Sequence, residues 1–271
     1  MKKLYKPVTT LLILLLLYLF YYIFDKDSIS VPVKGDFRDH FIFGEPIVKK
    51  GELFKYTGYY SSYNYDRLSP NYVAYKLKGD WVNSPKAYEK RNFKVDKRLK
   101  KSAKNSDYKK SGYDRGHLAR QADMRGRGEK CEKEALFFTN ISPQKPQFNR
   151  KIWLALEDAV QKWAINYDSL WVITGPCYDE NIEYTKTGSE LEVPDKFFKI
   201  IGRIDKKEEI KELKTISFLI DQDDESRNLE LYIVSIDSIE HLTNIDFFHL
   251  LNDTEEDLIE KDIGEIWKPY R

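Results

Sequence analysis

Two nearby segments carry most of the structural information in this chain: YDRGHLARQADM at residues 113–124 and TNISPQKPQFNRKIWLALED at residues 139–158. The second segment runs into a predicted helix that begins near Asn149, because apolar side chains recur there at spacings of three and four residues. These side chains are Trp153, Leu156, Val160 and Trp163. The stripe predicts a helix whose apolar face packs against the core.

Polar residues in the two segments and just before them suit phosphodiester hydrolysis, which needs a base, a cation and hydrogen-bond donors for the phosphate. His117 is the candidate base, because histidine titrates near neutral pH. Mg2+ prefers oxygen ligands and keeps several waters, so the carbonyl oxygen of Asn149 is a candidate direct ligand. Glu157 lies about 12 Å farther along the helix axis and is a candidate to hold a water of the ion. Arg91 and Arg115 are candidates for bidentate contacts to phosphate oxygens.

The sequence lacks the motifs of several other enzyme classes. It contains no GxSxG elbow, no phosphate loop of Walker type, no GxGxxG motif and no His, Cys and Asp cluster dense enough for zinc. Three histidines, His40, His241 and His249, are interpreted as structural. Each candidate site residue, taken alone, also fits a turn, a helix cap or a surface ion pair, but their order and spacing together favour a site.

The remaining apolar runs predict an α+β domain with a central, mainly antiparallel sheet flanked by helices. Five runs are rich in β-branched or aromatic residues and lie mostly too close together for long crossover helices. These runs are Tyr72–Leu77, Leu170–Thr174, Phe197–Ile204, Leu213–Ile220 and Leu229–Ile236. Shorter helices are predicted at Ser238–Leu242 and Glu255–Lys261, and an exposed loop at Asp96–Tyr113.

The formal net charge is only +1, but the charges are separated along the chain. Residues 86–130 contain 16 Lys and Arg against 6 Asp and Glu, a balance of +10, whereas residues 205–262 contain 6 basic and 18 acidic residues, a balance of −12. The basic stretch includes His117, so it predicts a local positive field that attracts a phosphate backbone. Two solvated faces are the alternative interpretation.

The N-terminus is predicted to be directed to a membrane. Residues 1–7 are a basic flank, and residues 8–24 carry no charge. An apolar run of this length is at the short end of what spans hydrocarbon, and it favours a signal anchor over a signal peptide cleaved near Ser28. Residues 25–46 are predicted to be a linker and residues 47–271 a single domain. The domain would be anchored outside the cytoplasm, or be secreted or periplasmic after cleavage.

Cys131 and Cys177 are far apart and lack metal-ligand spacing. In an exported protein they form either one disulfide or two unrelated buried thiols. The sequence leaves both open.

The two segments resemble the DNA/RNA non-specific endonuclease family, which includes bacterial extracellular nucleases and mitochondrial endonuclease G. The resemblance rests on DRGH at 114–117 and on the segment at 139–158, and it extends from about Gly58 to the C-terminus through blocks in the family's order. The blocks are YVAYKL at 72–77, KRNFKVD at 90–96, ITGPCYDE at 173–180, VPDKFFKII at 193–201 and HLTNIDFFHLLNDTEEDLIE at 241–260.

The resemblance implies a ββα-metal nuclease fold and a role for each matching residue. His117 would be the general base, Asn149 the direct magnesium ligand and Glu157 the residue that orients metal-bound water. Asn140 would help to position the site, and Mn2+ is the expected substitute for Mg2+. Two arginines would engage the phosphate and the charge of the transition state: Arg91 and Arg115. The chain departs from the family pattern at Arg120, Gln121 and Gln161, which bears on substrate preference more than on catalysis.

The leading hypothesis is therefore a magnesium-dependent endonuclease that cuts DNA and RNA outside the cytoplasm, held to the membrane through residues 8–24 if these are not cleaved. A catalytically silent nucleic-acid-binding module is the first alternative, and an adhesion or interaction domain that uses the acidic C-terminal part is the second. The sequence leaves open a homodimer and an inhibitor protein.

Overall fold

The computed structural model of the protein describes residues 29–32, 40–42, 44–88, 92–178, 183–184, 190–207 and 209–269. The predicted membrane segment at residues 8–24 and the candidate phosphate ligand Arg91 lie outside the described residues. Across the described ranges, no helix combines the length and the apolar character needed to cross a membrane.

A large antiparallel sheet forms the centre of the fold. The strands in chain order are β1 (Val31–Pro32), β2 (Glu52–Lys55), β3 (Tyr60–Asn64), β4 (Ser69–Lys78), β5 (Asp114–His117), β6 (Ile141–Gln144), β7 (Ser169–Cys177), β8 (Glu183–Tyr184), β9 (Glu192–Val193), β10 (Lys196–Lys207), β11 (Ile210–Asp221) and β12 (Ile233–Val234). The main sheet has the order β1-β11-β10-β7-β4-β3-β2, with β12 against β11, while β5 pairs with β6 and β8 with β9. This confirms the predicted α+β class with a mainly antiparallel sheet.

Helices cover both faces of the main sheet. They are α1 (Gly79–Val82), α2 (Asn105–Tyr108), α3 (Glu129–Glu134), α4 (Leu154–Tyr167), α5 (Ile236–Thr243) and α6 (Asp253–Lys261). 3-10 helices occur at Gln121–Arg127, Phe138–Asn140 and Leu229–Tyr232. The side chains of Ser235 and Asn252 cap the N-termini of α5 and α6 by accepting backbone N–H groups, which explains where these two helices begin.

Side chains of the central strands alternate between two separate cores. On β4, Val73, Tyr75 and Leu77 face the core that contains α4, whereas Tyr72 and Ala74 face the core that contains α5 and α6. This alternation follows from the two-residue period of a strand. Because both faces are covered, the central strands read as continuous apolar runs, and four of the five predicted strands are confirmed.

The predicted tryptophan-striped helix is confirmed, and its start has unusual geometry. All four residues of the stripe are buried in the first core. The helix begins with a π-helical segment, Phe148–Trp153, and continues as α4. A π-helical segment widens the turn and often marks a functional site, and here it contains Asn149.

Two predictions about local structure are wrong. The run Leu229–Ile236 is not one strand: it forms a 3-10 turn, a two-residue strand and the first residue of α5. The predicted loop Asp96–Tyr113 contains α2, and Ala103 and Tyr108 are buried in a small third core. In both places tertiary packing overrides a local pattern.

Two parts of the predicted linker pack onto the domain. Val31 is buried, and β1 pairs with β11 through Val31 and Leu213. His40 is also buried, and its Nδ1 accepts the backbone N–H of Lys76 at 3.1 Å. Cys131 and Cys177 are both buried free thiols, so no disulfide joins them.

Candidate active site

The DRGH segment forms a two-stranded ribbon beside the helix that begins at Phe148. In β5, Asp114 pairs with Gln144 of β6 and His117 pairs with Ile141. A Cβ atom at Gly116 would sit 2.1 Å from Cδ of the Gln144 side chain on the partner strand. Glycine at this position leaves room for the buried Gln144 side chain.

Asn140 fixes the backbone that follows His117. Its Oδ1 accepts the N–H of Ala119 at 2.8 Å, and its Nδ2 donates to the carbonyl oxygens of Ala119 at 2.8 Å and Ala135 at 2.9 Å. The Asn140 backbone oxygen also accepts the N–H of Leu118 at 3.0 Å. The amide is fully buried, so its polar atoms serve the protein rather than a ligand.

Aromatic rings surround the side chains of Arg115 and His117 on one side of β5. The Phe93 ring lies 5.5 Å from the His117 ring centroid and also 5.5 Å from the guanidinium carbon of Arg115. Arg115 donates to Oδ1 and to the backbone oxygen of Asn105, each at 2.9 Å, and it lies over the Tyr108 ring. Alternation along the strand accounts for the shared neighbour of residues 115 and 117.

Asp114 holds the amide of Asn149 in one orientation. The Asn149 Nδ2 donates to Asp114 Oδ2 at 2.9 Å, and Arg150 makes a bidentate pair with the same carboxylate at 2.9 and 2.7 Å. With its nitrogen engaged, the half-buried amide keeps its carbonyl oxygen available as an acceptor. This oxygen is therefore a candidate ligand for an oxygen-preferring cation in the region of β5 and the helix.

Glu157 is a buried carboxylate in α4, the helix that continues from the π-helical segment containing Asn149. Burial raises its pKa to about 7, while Arg120 and Lys199 oppose the rise. Arg120 Nε lies 3.5 Å from Glu157 Oε2, and Arg120 Nη1 lies 2.7 Å from Asp158 Oδ1. The ion pair between Arg120 and Glu157 is therefore largely buried.

Buried polar residues surround Glu157. Little in the sequence indicated them. Lys199 of β10 is 1% exposed, its Nζ lies 4.4 Å from the Trp153 ring centroid, and burial lowers its pKa to about 8. Asp123 accepts hydrogen bonds from Tyr75 at 3.0 Å and from Gln161 at 2.7 Å. Burial raises the pKa of Asp123. The one sequence signal was a lysine inside the apolar run FFKII at 197–201.

Contacts at two places align β5 and its continuation with the helix. Asp114 contacts Asn149 and Arg150 at one end, and Arg120 contacts Glu157 and Asp158 at the other. Both segments therefore run in the same direction, and His117 lies three residues after the contact at Asp114 and three residues before the contact at Arg120. Asn149 and Glu157 thus contact the two ends of the stretch that contains His117, while Asn140 holds the backbone after His117 and Arg115 shares the neighbour Phe93 with it.

The chemistry of this region is that of oxygen donors, cationic groups and one imidazole. Within the described residues, no three His, Cys, Asp or Glu side chains converge here as they would in a caged metal site. Magnesium fits such a donor set, because it commonly takes one or two protein ligands and keeps its waters. The arrangement suits hydrolysis of a phosphate ester.

Comparison with known structures and proteins identifies the fold and the family of this chain. A crystal structure of the complex between endonuclease G and its inhibitor EndoGI superposes with a TM-score of 0.68, covering 79% of this chain and 91% of that chain at 24% identity. At this identity the likeness shows a shared fold.

The family model for DNA/RNA non-specific endonucleases matches residues 38–254. A nuclease from Nostoc sp. is 32% identical over 200 residues, which is 70% of each chain. Human mitochondrial endonuclease G is 32% identical over 160 residues, which is 54% of this chain and 51% of that protein, so the match spans about half of its length. The chain belongs to the DNA/RNA non-specific endonuclease family and is a nuclease.

Proposed function

We propose that this nuclease is a magnesium-dependent, sugar-non-specific endonuclease with a ββα-metal site, in which His117 is the general base. The observation that carries the proposal is the alignment of β5 with the helix. The Asp114–Asn149 contact lies three residues before His117 and the Arg120–Glu157 contact three residues after it, which supports a site that His117 shares with the Asn149 amide oxygen and the buried Glu157 carboxylate.

Three residues near β5 have separate tasks in this proposal. His117 takes the proton from the attacking water, because its imidazole is a base near neutral pH. Arg115 holds phosphate oxygens in place with a guanidinium that Asn105 and the neighbouring rings orient. Asn140 fixes the peptide segment after His117 and acts as a positioning residue.

Magnesium would be held by the Asn149 carbonyl oxygen, with Glu157 as an acceptor for one of its waters, and when bound it would neutralise charge that builds on the phosphate and the leaving oxygen. Asp114 accepts a hydrogen bond from the Asn149 amide nitrogen, which leaves the amide oxygen to bind the ion. Arg120 compensates the charge of Glu157 inside the protein.

The site of action is also a proposal. The uncharged segment at residues 8–24 supports a domain anchored to the membrane outside the cytoplasm, with secretion or periplasmic release after cleavage as the alternative. The endonuclease G that shares this fold was crystallised with EndoGI, which inhibits it, and this supports an inhibitor protein as a partner class here.

A plasmid-nicking assay tests the activity. The full-length protein is expected to nick circular DNA and to degrade single-stranded RNA with magnesium, and to lose both activities when a chelator is added. Restoration by magnesium or manganese after removal of the chelator completes the test. Tight binding of DNA without cleavage, or cleavage that resists the chelator, would contradict the proposal.

Asp114→Asn tests how the proposed ligand is held. It keeps the size of the side chain but removes the charge that accepts from Asn149 and Arg150. We expect magnesium affinity to fall about 10–100-fold, with activity restored at high magnesium, as for other groups that orient a metal ligand. A magnesium titration of the cleavage rate measures the shift. An unchanged magnesium requirement would show that Asp114 does not hold a metal ligand.

Recognition through the phosphate backbone predicts a steep salt dependence. We expect the logarithm of kcat/KM on duplex DNA to fall linearly with the logarithm of the salt concentration, because bound cations on the DNA are released by the protein. Arg115→Ala should make that slope shallower by about one. Steady-state cleavage of a fluorescent duplex at several salt concentrations measures both slopes. A slope that is flat, or that depends on base sequence, would argue against backbone recognition.

A further inference from the structure

Three carboxylates meet where α5 packs against α6. Asp237 and Glu240 lie one turn apart on α5, and Glu260 lies near the end of α6. One oxygen of each lies within 4.8 Å of the others. Both helices pack on the core that faces away from α4, so this cluster is separate from the region of His117.

Glu260 is a buried carboxylate with an oxygen that has no hydrogen-bond partner. The residue is 6% exposed, and its Oε1 is buried without a donor. The ammonium of nearby Lys261 forms its ion pair with Asp257, at 2.7 Å, rather than with the cluster. A buried carboxylate oxygen with no donor is unfavourable unless a proton or a cation satisfies it.

The surroundings of Glu260 are acidic. Four further carboxylates raise its pKa in addition to burial: Glu240, Glu256, Asp237 and Asp246. Burial raises the pKa of Glu260 to about 8 and that of Glu240 to about 7. Only one hydrogen bond reaches the three clustered carboxylates within the described part of the chain, from the backbone N–H of Phe247 to Glu240 Oε1 at 2.8 Å.

We propose that Asp237, Glu240 and Glu260 form a structural site for a divalent cation of the calcium class, which fastens α5 to α6. The spacing allows calcium. The three oxygens lie at most 4.8 Å apart, so a central point of their triangle lies at most about 2.8 Å from each, and Ca2+–oxygen distances of about 2.3–2.6 Å fall within that limit. Magnesium demands a near-ideal octahedron, whereas calcium accepts the irregular geometry that carboxylates on two packed helices offer. Asp237 and Glu240 are half-buried, which leaves room for the waters that calcium needs to reach six to eight ligands.

The site gives the acidic C-terminal part of the chain a function that cleavage does not use. It adds a cation on the far side of the sheet, where it stabilises the packing of two helices rather than the reaction. It is therefore independent of the proposed catalytic metal.

Thermal unfolding of the full-length Asn149→Ala variant, with and without calcium, tests the proposal, because this background lacks the candidate catalytic ligand. Calcium about a hundredfold above its dissociation constant is expected to raise the melting temperature by roughly 5–10 °C. Adding Glu260→Gln should abolish the shift. Asp257→Asn, an exposed isosteric change on the same helix, should leave it intact and serves as the matched control.

A second variant and a direct binding measurement keep the test decisive if Glu260→Gln folds poorly. Asp237→Asn at a half-buried position should raise the calcium concentration needed for half of the shift, and terbium luminescence should report binding that both variants weaken. The absence of any calcium shift in the parent would overturn the proposal, and so would a shift that survives Glu260→Gln. If Glu260→Gln raises the melting temperature equally with and without calcium and the parent does not respond, a proton satisfies the cluster and the proposal is wrong.

Discussion

His117→Ala is expected to lower the turnover number for DNA cleavage by at least about 10²–10⁴-fold, because the variant has no base to accept the proton of the attacking water. The fold should persist, since the ring is half-buried beside Phe93 and the backbone that follows it is held by Asn140. Initial rates of plasmid nicking at saturating magnesium measure the effect, and the melting temperature checks the fold.

Two controls separate catalysis from structure in this variant. His241→Ala removes an exposed histidine on α5, away from the site, and should retain full activity. Added imidazole should restore part of the lost rate in His117→Ala, because a small base can enter the space that the side chain leaves. Full activity without imidazole in His117→Ala would refute the assignment of the base.

Asn149→Ala has the second largest expected effect. The variant should lower kcat/KM by about 10²-fold or more and should raise the magnesium concentration needed for half-maximal activity, since it removes the proposed direct ligand. A magnesium titration of the cleavage rate measures both. Asn166→Ala, at an exposed position near the end of α4, is the matched control and should behave like the parent. An Asn149→Ala variant with the parent's magnesium requirement would remove Asn149 from the metal site.

Local patterns predicted the elements that carry the site. The tryptophan stripe identified the helix because its side chains repeat with the helical period, and the apolar runs identified four strands of the sheet. DRGH, Asn149 and Glu157 pointed to hydrolysis of a phosphodiester, because a histidine, an asparagine and a glutamate are the residue types that this reaction needs. The run at 229–236 is apolar although it is not one strand, because a half-buried 3-10 turn and the start of a helix can carry the same apolar residues as a strand.

Long-range contacts were beyond the reach of the sequence. Asp114 is not among the candidate site residues of the sequence, because nothing in its neighbourhood shows that it binds an amide 35 positions away. The departures from the family pattern at Arg120 and Gln161 predicted altered substrate preference, but in the structure they contact Glu157 and Asp123. Whether they also change preference stays a prediction.

The order of residues along the chain thus determined the class of fold, the family and the chemical types at the site, because helical and strand periods and short motifs are written in neighbouring positions. Tertiary packing alone decided which way the Asn149 amide faces, how deeply Glu157 and Lys199 are buried and which acids meet between α5 and α6. The physical reason is that pKa values, amide orientation and cation sites depend on distances and desolvation, and these arise only when remote segments pack together.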